Sequence, residues 1–197
     1  MNNLHNRGAS ISTGGKGVND RANDDFYATQ SKTVKSLLDV FTLKGNILEP
    51  ACGMGHISKV LEEYYPSQEI VSTDLVYRGF GEGNIDFLTY NYGRKFDNII
   101  TNPPFSLSKE FLEKSLELSN DKVILLLKIQ FLESSKRKEI LKNSPLKYIY
   151  VFSERQSTLK DGLELNPTNN KPWTTTLCLA WFIWEKGYTG EPIVRWL

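Results

Sequence analysis

The sequence predicts an α/β domain built on a mostly parallel β-sheet with helices on both of its faces. Short apolar runs alternate along the chain with segments whose apolar residues recur at helical spacing. The runs are apolar at consecutive positions, which is typical of strands that are buried on both faces of a parallel sheet. The alternation of the two patterns therefore predicts strands and helices that follow each other along one chain.

The predicted strands are short and are bounded by turn residues. They comprise residues 46–49, 69–73, 84–87, 97–101, 122–128, 148–152 and 177–184, and the pattern is weakest over 84–87. Helices are predicted over residues 57–65, 107–118 and 134–143, and over an amphipathic segment from the N-cap Ser31 to near Gly45. A loop of roughly 20 residues precedes the last strand, and loops of that length are more often functional than purely connecting.

Composition indicates one globular domain. Of the 197 residues, 40% are hydrophobic and 24% are charged, close to the average for such domains. We predict a flexible arm over residues 1–24, rich in Asn, Ser and Gly, and a single domain over residues 25–197. The arm lacks the apolar segment of a secretory signal, and no apolar run approaches the ~20 residues of a membrane span, so we expect a cytoplasmic protein. The two cysteines, Cys52 and Cys178, are predicted to be free and buried.

The net charge of +1 does not by itself indicate a nucleic-acid-binding protein. One stretch is locally basic and contains only two acids, Glu133 and Glu139. Its basic residues are Lys128, Lys136, Arg137, Lys138, Lys142 and Lys147. A solvated helix face explains this cluster better than a phosphate-binding surface does, although both interpretations remain open.

A glycine-rich turn joins the first strand of the predicted sheet to the helix after it. Such a turn lets a ligand approach the backbone at the carboxyl end of the strand. Asp74 ends the next strand, 19 residues past Gly55, which is the spacing at which a carboxylate can accept hydrogen bonds from ribose hydroxyls. A nicotinamide site would have a third glycine where Ser58 stands. Each signal alone is more often structural, but together they favour a nucleoside-containing cofactor.

The turn, Glu49-Pro50-Ala51-Cys52-Gly53-Met54-Gly55, resembles the first motif of class I S-adenosylmethionine (SAM)-dependent methyltransferases, particularly of the amino-methylating DNA enzymes. The resemblance implies a Rossmann-like class I methyltransferase fold, with a seven-stranded sheet, a last antiparallel strand and SAM as cofactor. SAM has a positive sulfonium and no phosphate, so acidic residues suit it better than an anion-binding loop.

Two further segments resemble cofactor motifs of that family. The segment Asp86-Phe87-Leu88 is similar to the one whose carboxylate accepts from the SAM adenine while the ring packs on the purine, although Phe87 would otherwise be interpreted as a core residue. The segment 25–29 resembles the motif that holds the methionine moiety, with Gln30 replacing the usual proline. The residues implied in cofactor binding are Phe26, Tyr27, Ala28, Thr29, Glu49, Pro50, Ala51, Cys52, Gly53, Gly55, Asp74, Leu75, Asp86, Phe87 and Asn102.

The most specific motif is Asn102-Pro103-Pro104-Phe105, directly after the fourth strand. Consecutive prolines stiffen the turn and leave carbonyl oxygens free of competing donors. The Asn102 side-chain oxygen and the Pro103 carbonyl are placed to accept both protons of an amino group, which stabilises charge that develops on its nitrogen. Phe105 offers a ring on which a base that has left the duplex can stack.

The segment 25–29, the glycine-rich turn and this motif, in that order, resemble the motifs of DNA N6-adenine methyltransferases over residues 25–152. Residues 152–155 and the loop that contains Trp173 resemble the later part of small phage-type or bacterial members. The resemblance implies methyl transfer to an exocyclic amine of a base, most often adenine N6 in DNA, with RNA as another possible partner and no membrane. Base recognition would then fall to residues 105–112 and to the loop over 153–176. There is no Pro-Cys pair for methylation of cytosine C5, and neither histidine has metal-ligand spacing, so no metal is expected.

Three other functions remain open. RNA adenine and protein glutamine methyltransferases share Asn-Pro-Pro followed by an aromatic residue, although the glutamine enzymes resemble a Tyr version more than Phe105. A protein that keeps the fold and binds nucleic acid without catalysis is a second alternative, which the intact Asn102, Asp74, Gly53 and Gly55 disfavour. A nicotinamide oxidoreductase is the third, disfavoured by Ser58 at the position of the third glycine.

Overall fold

The computed structural model describes residues 27–156, 158–160, 168–170 and 177–197. Over these residues the strands are β1 (Tyr27–Thr29), β2 (Ile47–Glu49), β3 (Ile70–Ser72), β4 (Phe96–Thr101), β5 (Ser119–Lys128), β6 (Leu146–Val151), β7 (Thr158–Lys160), β8 (Leu179–Glu185) and β9 (Ile193–Trp196). The helices are α1 (Ser31–Leu38), α2 (His56–Tyr64), α3 (Ser108–Leu118) and α4 (Lys138–Asn143), and short 3-10 turns cover Phe105–Leu107 and Ile129–Leu132. In the part of the chain covered by these ranges, no helix has both the length and the apolar character that crossing a bilayer requires.

The main sheet has seven strands in the order β3-β2-β4-β5-β8-β6-β9. Neighbouring strands are parallel except where β8 lies, since β8 runs antiparallel to both β5 and β6. The predicted class, the number of strands and the antiparallel strand near residues 177–184 are confirmed. The antiparallel strand is not the last one, however, because β9 follows it and pairs in parallel with β6.

The weakest predicted strand, residues 84–87, is wrong. The Asp86 carboxylate accepts hydrogen bonds from the Leu88 amide and the Thr89 hydroxyl, and this local turn competes with a strand ladder. Ile85 and Phe87 are apolar because both side chains are buried, not because they lie in a strand. The seventh strand of the main sheet is β9 instead. The sequence pattern did not predict it, because Val194 and Trp196 are exposed and β9 therefore lacks a run of buried apolar residues.

Two predicted helices are shorter than expected. The N-cap of α1 is Gln30 rather than Ser31, and α1 ends at Leu38 instead of near Gly45. Gly45 adopts φ +84°, and a Cβ there would collide with the Asp97 side chain, so this position ends a loop and not a helix. α4 begins at Lys138, because the Ser134 hydroxyl accepts from the backbone amide two residues later and holds the preceding residues in a turn.

The helices cover the sheet in two layers. α1 and α2 pack on one face, on a cluster that includes Ile124, Leu126 and Trp181. α3 and α4 pack on the other face, where Val123 and Leu125 belong to the cluster. Side chains of a strand point alternately to opposite faces, so the consecutive apolar residues of β5 fill both layers.

A second, two-stranded sheet joins the start of the described chain to the segment after β6. β1 and β7 are antiparallel, with Ala28 opposite Leu159. The contact continues where the Thr33 hydroxyl donates to Gln156 Oε1 at 2.9 Å. Neither strand was predicted from the sequence, because three residues are too few to show a period.

Two local predictions about side chains are changed by the structure. Both cysteines are free, but Cys178 is exposed and not buried, since it precedes β8. In the basic stretch, the Arg137 guanidinium donates to the carbonyls of Gln130, Phe131 and Glu133, and Lys147 pairs with Glu185 at 2.7 Å. These two cations therefore have structural partners, which favours a structural role over phosphate binding for Arg137 and Lys147.

Trp181 generates a prediction about stability. Its side chain is fully buried in β8, and its indole N–H donates to the Thr33 carbonyl of α1 at 3.0 Å. Trp181→Phe should lower the free energy of unfolding by about 1–3 kcal/mol, because it removes this hydrogen bond and leaves a small cavity. Trp196→Phe is the control, since Trp196 is 72% exposed, and its effect should stay within about 0.5 kcal/mol. Urea unfolding measures both values, and equal losses would contradict the assigned role.

Candidate functional site

The carboxyl ends of β2, β3 and β4 open into a cleft that is open to solvent on one side. Strands of a parallel sheet end at the same edge, so residues distant in sequence meet there. Many predicted site residues line this cleft. From the first two segments these are Ala28, Thr29, Glu49, Pro50, Ala51 and Cys52. From the later segments they are Asp74, Leu75, Asp86, Phe87, Asn102 and Pro104.

Four predicted residues do not line the cleft, and one lies outside the described residues. Gly53, Gly55, Pro103 and Phe105 are the four, and all of them belong to turns that carry cleft residues. Phe26 lies outside the described residues, and Tyr27 is described by its backbone, which pairs with β7.

The turn after β2 depends on glycine at two positions. Gly53 and Gly55 have φ values of +55° and +78°, in the left-handed region that other residues rarely adopt. Gly55 is the N-cap of α2, and a Cβ on it would lie 2.5 Å from the Phe80 ring. Both glycines therefore shape the wall of the cleft and bring the backbone close to its interior.

Asp74 ties this turn to the segment after β3. One carboxylate oxygen accepts from the Gly53 amide at 2.7 Å, and the other accepts from the Val76 amide at 2.9 Å. The sequence identified Asp74 as a ligand acceptor, whereas in the structure its first partners are backbone amides. A carboxylate has about four acceptor positions, so these two bonds leave capacity for a ligand.

Glu49 ends β2 and is fully buried. Burial raises the pKa of Glu49 to about 8, against the smaller opposing effect of hydrogen bonds from Ser58. The Ser58 hydroxyl donates to the Glu49 carboxyl group and lies 2.6 Å from the Ser72 hydroxyl. Ser58, which stands where a nicotinamide site would have its third glycine, is the polar partner of the Glu49 carboxyl group, and that group is mostly neutral at pH 7.

The Cys52 thiol is not suited to act as a nucleophile. Burial, and then the nearby carboxyl groups of Glu49 and Asp74, raise the pKa of Cys52 to about 12. The Cys52 amide donates to the Thr73 carbonyl at 3.0 Å, which ties the turn to the end of β3. The role of Cys52 is therefore to fill the wall of the cleft.

An aromatic wall closes one side of the cleft. Phe87 is buried, and its ring centroid lies 4.9 Å from that of Phe111 at the start of α3. Phe87 is thus both a core aromatic and a cleft residue, which unites the two interpretations of the sequence. Leu88 of the segment 86–88 also lines the cleft, as do Leu107 and Phe111 of the segment 105–112. The spacing of four between Leu107 and Phe111, next to the proline motif, was a usable signal for one helix face. The cleft residues that the sequence analysis missed are His56, Ile57, Val76, Arg78 and Ile85.

The Asn102-Pro103-Pro104-Phe105 motif lies where β4 ends. The Asn102 side-chain nitrogen donates to the Thr29 hydroxyl at 3.2 Å, so β1 orients the amide. Phe105 is partly buried against the core cluster that α1 and α2 cover. The Lys128 ammonium lies 4.5 Å from the centroid of the Phe105 ring. The motif thus presents its first and third residues to the cleft and its phenylalanine to the boundary between the core and the surface.

The loop that was expected to contribute to base recognition, over residues 153–176, is described in part. Its strand β7 pairs with β1 and so lies beside the strand that carries Thr29. Trp173 lies outside the described residues. Within the described ranges, no three His, Cys, Asp or Glu side chains are grouped as a metal site would require.

No protein-family model matches the chain, and no curated protein matches it in sequence. Solved structures do resemble it. A predicted O-methyltransferase, protein Atu636 from Agrobacterium tumefaciens, is 12% identical with a TM-score of 0.55 over 85% of each chain. A structure described for the conversion of a disulfide bond into a thioacetal group during echinomycin biosynthesis is 12% identical, with a TM-score of 0.56 over 83% of this chain and 84% of that one. At these identities the likeness establishes the fold, which is the Rossmann-like class I methyltransferase fold.

The pKa of Glu49 generates a prediction about pH. Folding raises this pKa from 4.5 to about 8, so between these values the folded protein holds a proton that the unfolded chain releases. The free energy of unfolding should therefore fall as pH rises through this window, by at most about 1.4 kcal/mol per pH unit. Glu49→Gln removes this contribution, so the stability of the variant relative to wild type should improve from about pH 5 to about pH 8.

Urea unfolding of the ligand-free protein at several pH values measures this difference. Glu110→Gln, which removes an exposed carboxyl group from α3, is the matched control. A difference between Glu49→Gln and Glu110→Gln that stays constant across the window would show that Glu49 is ionised in the folded protein.

Proposed function

We propose that this protein transfers a methyl group from SAM to an exocyclic amino group of a nucleic-acid base, with adenine N6 in DNA as the leading target. The observation that carries the proposal is the position of Asn102 in the cleft. Its amide is oriented by Thr29, and it stands beside the turn that Asp74 and Gly53 hold together. An amine-accepting group and a cofactor-type loop thus share one cleft.

The chemistry of the cleft residues suits SAM. The turn after β2 offers carboxyl groups and apolar walls rather than the phosphate-binding backbone of a nicotinamide site. Asp74 has acceptor capacity for ribose hydroxyls, and Asp86 lies beside the Phe87 wall, where an adenine amino group and ring would be held. Glu49 is mostly neutral in the free protein, and a cationic ligand beside it would favour its charged form. When bound, SAM supplies an activated methyl group.

Asn102 and Pro103 are proposed to hold the target amine. An exocyclic amine is a poor nucleophile because its lone pair is conjugated with the ring of the base. The Asn102 side-chain oxygen and the Pro103 carbonyl would accept its two protons, so that positive charge developing on nitrogen meets dipoles already in place. The Thr29 contact and the two prolines fix these acceptors before a substrate arrives.

Phe105 supports a base as the carrier of the amine. The proposal requires the target base to leave the helical stack and to rest against this ring, which belongs to the same turn as the cleft residues Asn102 and Pro104. The fold neighbour from Agrobacterium tumefaciens is described as a predicted O-methyltransferase, which agrees with methyl transfer but does not identify the acceptor in this protein. RNA adenine and protein glutamine are the alternative acceptors. A non-catalytic protein of the same fold is a further alternative.

One experiment separates these functions. The protein is incubated with SAM carrying a radiolabelled methyl group and with duplex DNA, single-stranded DNA, RNA or a protein extract, and labelled nucleosides are then identified. We expect N6-methyl-2′-deoxyadenosine from DNA, with faster transfer to single-stranded or mismatched sites because unpairing costs less there. Label only in protein would favour glutamine, and failure to bind SAM in calorimetry would favour the non-catalytic alternative.

Asn102→Ala tests the amine site. Loss of one preorganised acceptor should raise the barrier by about 3–4 kcal/mol, a loss of roughly a hundredfold to a thousandfold in kcat, while SAM still binds. Asn143→Ala removes an exposed asparagine of α4 and should change neither quantity. The proposed role of Asn102 fails if the Asn102→Ala variant keeps activity within tenfold of wild type.

Asp74→Ala tests the cofactor loop. The variant loses an acceptor for ribose and leaves the amides of Gly53 and Val76 without their present partner. SAM affinity should fall by about 1.5–3 kcal/mol, the usual loss for a hydrogen bond to a charged group. Calorimetry measures the affinity for SAM. Asp121→Asn, near the amino end of β5, is the control. An unchanged SAM dissociation constant in a folded Asp74→Ala variant would contradict the assignment.

A further inference from the structure

Lys128 is a cation next to the proposed target site, and the reaction proposed above gives it no role. It is the last residue of β5, it is half-buried, and its ammonium lies 4.5 Å from the centroid of the Phe105 ring. That distance is within the range of a cation–π interaction. Lys147 and Lys122, by contrast, form ion pairs with carboxylates, and among the described residues no carboxylate oxygen lies within 4.0 Å of the Lys128 ammonium.

The position of Lys128 follows from the sheet. β4 and β5 are parallel neighbours with Thr101 opposite Leu125, so both chains continue beyond the same edge of the sheet. β5 is held at its end by the pairing of Lys128 with Leu179 and by the bond from the Ile129 amide to the Cys178 carbonyl at 2.8 Å. The backbone of Lys128 is therefore anchored, while its four-carbon side chain can turn about that anchor.

Phe105 has the core on one side and this ammonium over its ring. A base that stacks on Phe105 must take the space near the ring that the ammonium occupies in the free protein. The ammonium then has to move to another partner, and the groups that a target nucleotide brings with it are its flanking phosphates. Lysine is a flexible point charge that suits such a change of partner, and phosphate is a strong acceptor for it.

We propose that Lys128 contacts a phosphate next to the target nucleotide, and that it rests on Phe105 when nucleic acid is absent. This inference rests on the proposed function, and it narrows the substrate to one with a phosphodiester beside the amine. A glutamine side chain of a protein has no such phosphate. Another cation on an aromatic ring, Lys59 over Phe80, lies by the glycine turn at the start of α2, away from the motif that carries Phe105.

The test uses the whole chain with saturating SAM and a single-stranded DNA oligonucleotide that contains one adenine. A second oligonucleotide has uncharged methylphosphonate linkages on both sides of that adenine. Wild type is compared with Lys128→Gln, Lys128→Arg and the control Lys186→Gln, which changes an exposed lysine at the opposite end of β5. KM, kcat and the salt dependence of oligonucleotide binding are measured for each, together with SAM affinity and thermal stability.

Lys128→Gln should raise KM for the normal oligonucleotide about tenfold, as for loss of a hydrogen bond to a charged group. The slope of log binding constant against log salt should fall by about 0.7, the contribution of one phosphate in single-stranded DNA. Wild type should lose a similar factor on the methylphosphonate substrate, and Lys128→Gln should lose nothing more. Lys128→Arg should stay close to wild type, and Lys186→Gln should match it.

Two results separate the inference from the proposed function. If wild type methylates DNA and Lys128→Gln changes kcat alone, with KM, the salt slope and the methylphosphonate ratio unchanged, Lys128 only positions Phe105 and the phosphate contact is wrong. If wild type transfers no label to any nucleic acid, the proposed function is wrong, and label confined to protein overturns both.

Discussion

Burial of the central strands on both faces is the constraint on which the candidate site depends. β5 and β8 are covered by helices on either side, and their backbone groups are paired within the sheet. Polar side chains along such strands would be buried without partners, at a high cost in free energy. Polar groups that could meet a ligand are therefore concentrated at the strand ends, and Glu49, Asp74, Asn102 and Lys128 stand at or just beyond the carboxyl ends of β2, β3, β4 and β5 respectively.

Those polar groups differ in their charge and in the hydrogen bonds that they leave available to a ligand. Glu49 is neutralised by burial, and Asp74 spends its first two hydrogen bonds on the amides of Gly53 and Val76. The free cleft thus holds less negative charge than its carboxyl groups suggest. A cation entering it would shift Glu49 toward its charged form, so ligand binding and proton release are coupled at this position. This coupling suits a positively charged cofactor better than a phosphate-bearing one.

The two-stranded sheet of β1 and β7 also helps to position residues of the site. Thr29 of β1 orients the Asn102 amide, while β1 itself is paired with the segment that follows β6. The loop expected to meet the substrate and the group expected to hold the amine are therefore joined through one three-residue strand.

The sequence by itself determined the α/β class, most strand and helix positions and the turns that carry the site, because each depends on local periodicity or on glycine and proline. It also determined which polar residues follow the strands, since a strand apolar on both faces ends where polar residues begin. Asp74 was identifiable from its position after a strand and its spacing from Gly55, whereas Glu49 and Asn102 were identified through the motifs to which they belong.

Only the tertiary structure decided the partners of these residues. Three of these contacts join residues well separated along the chain: β9 pairs with β6, β1 pairs with β7, and Lys128 lies over Phe105. The bond from Ser58 to Glu49 spans the turn between β2 and α2. Their formation depends on how packed layers bring strand ends together, and hydrogen bonds and charges act across space and not along the sequence. The sequence thus identified the polar groups, and the packing determined which of them are neutral, which are held by the backbone and which face a ligand.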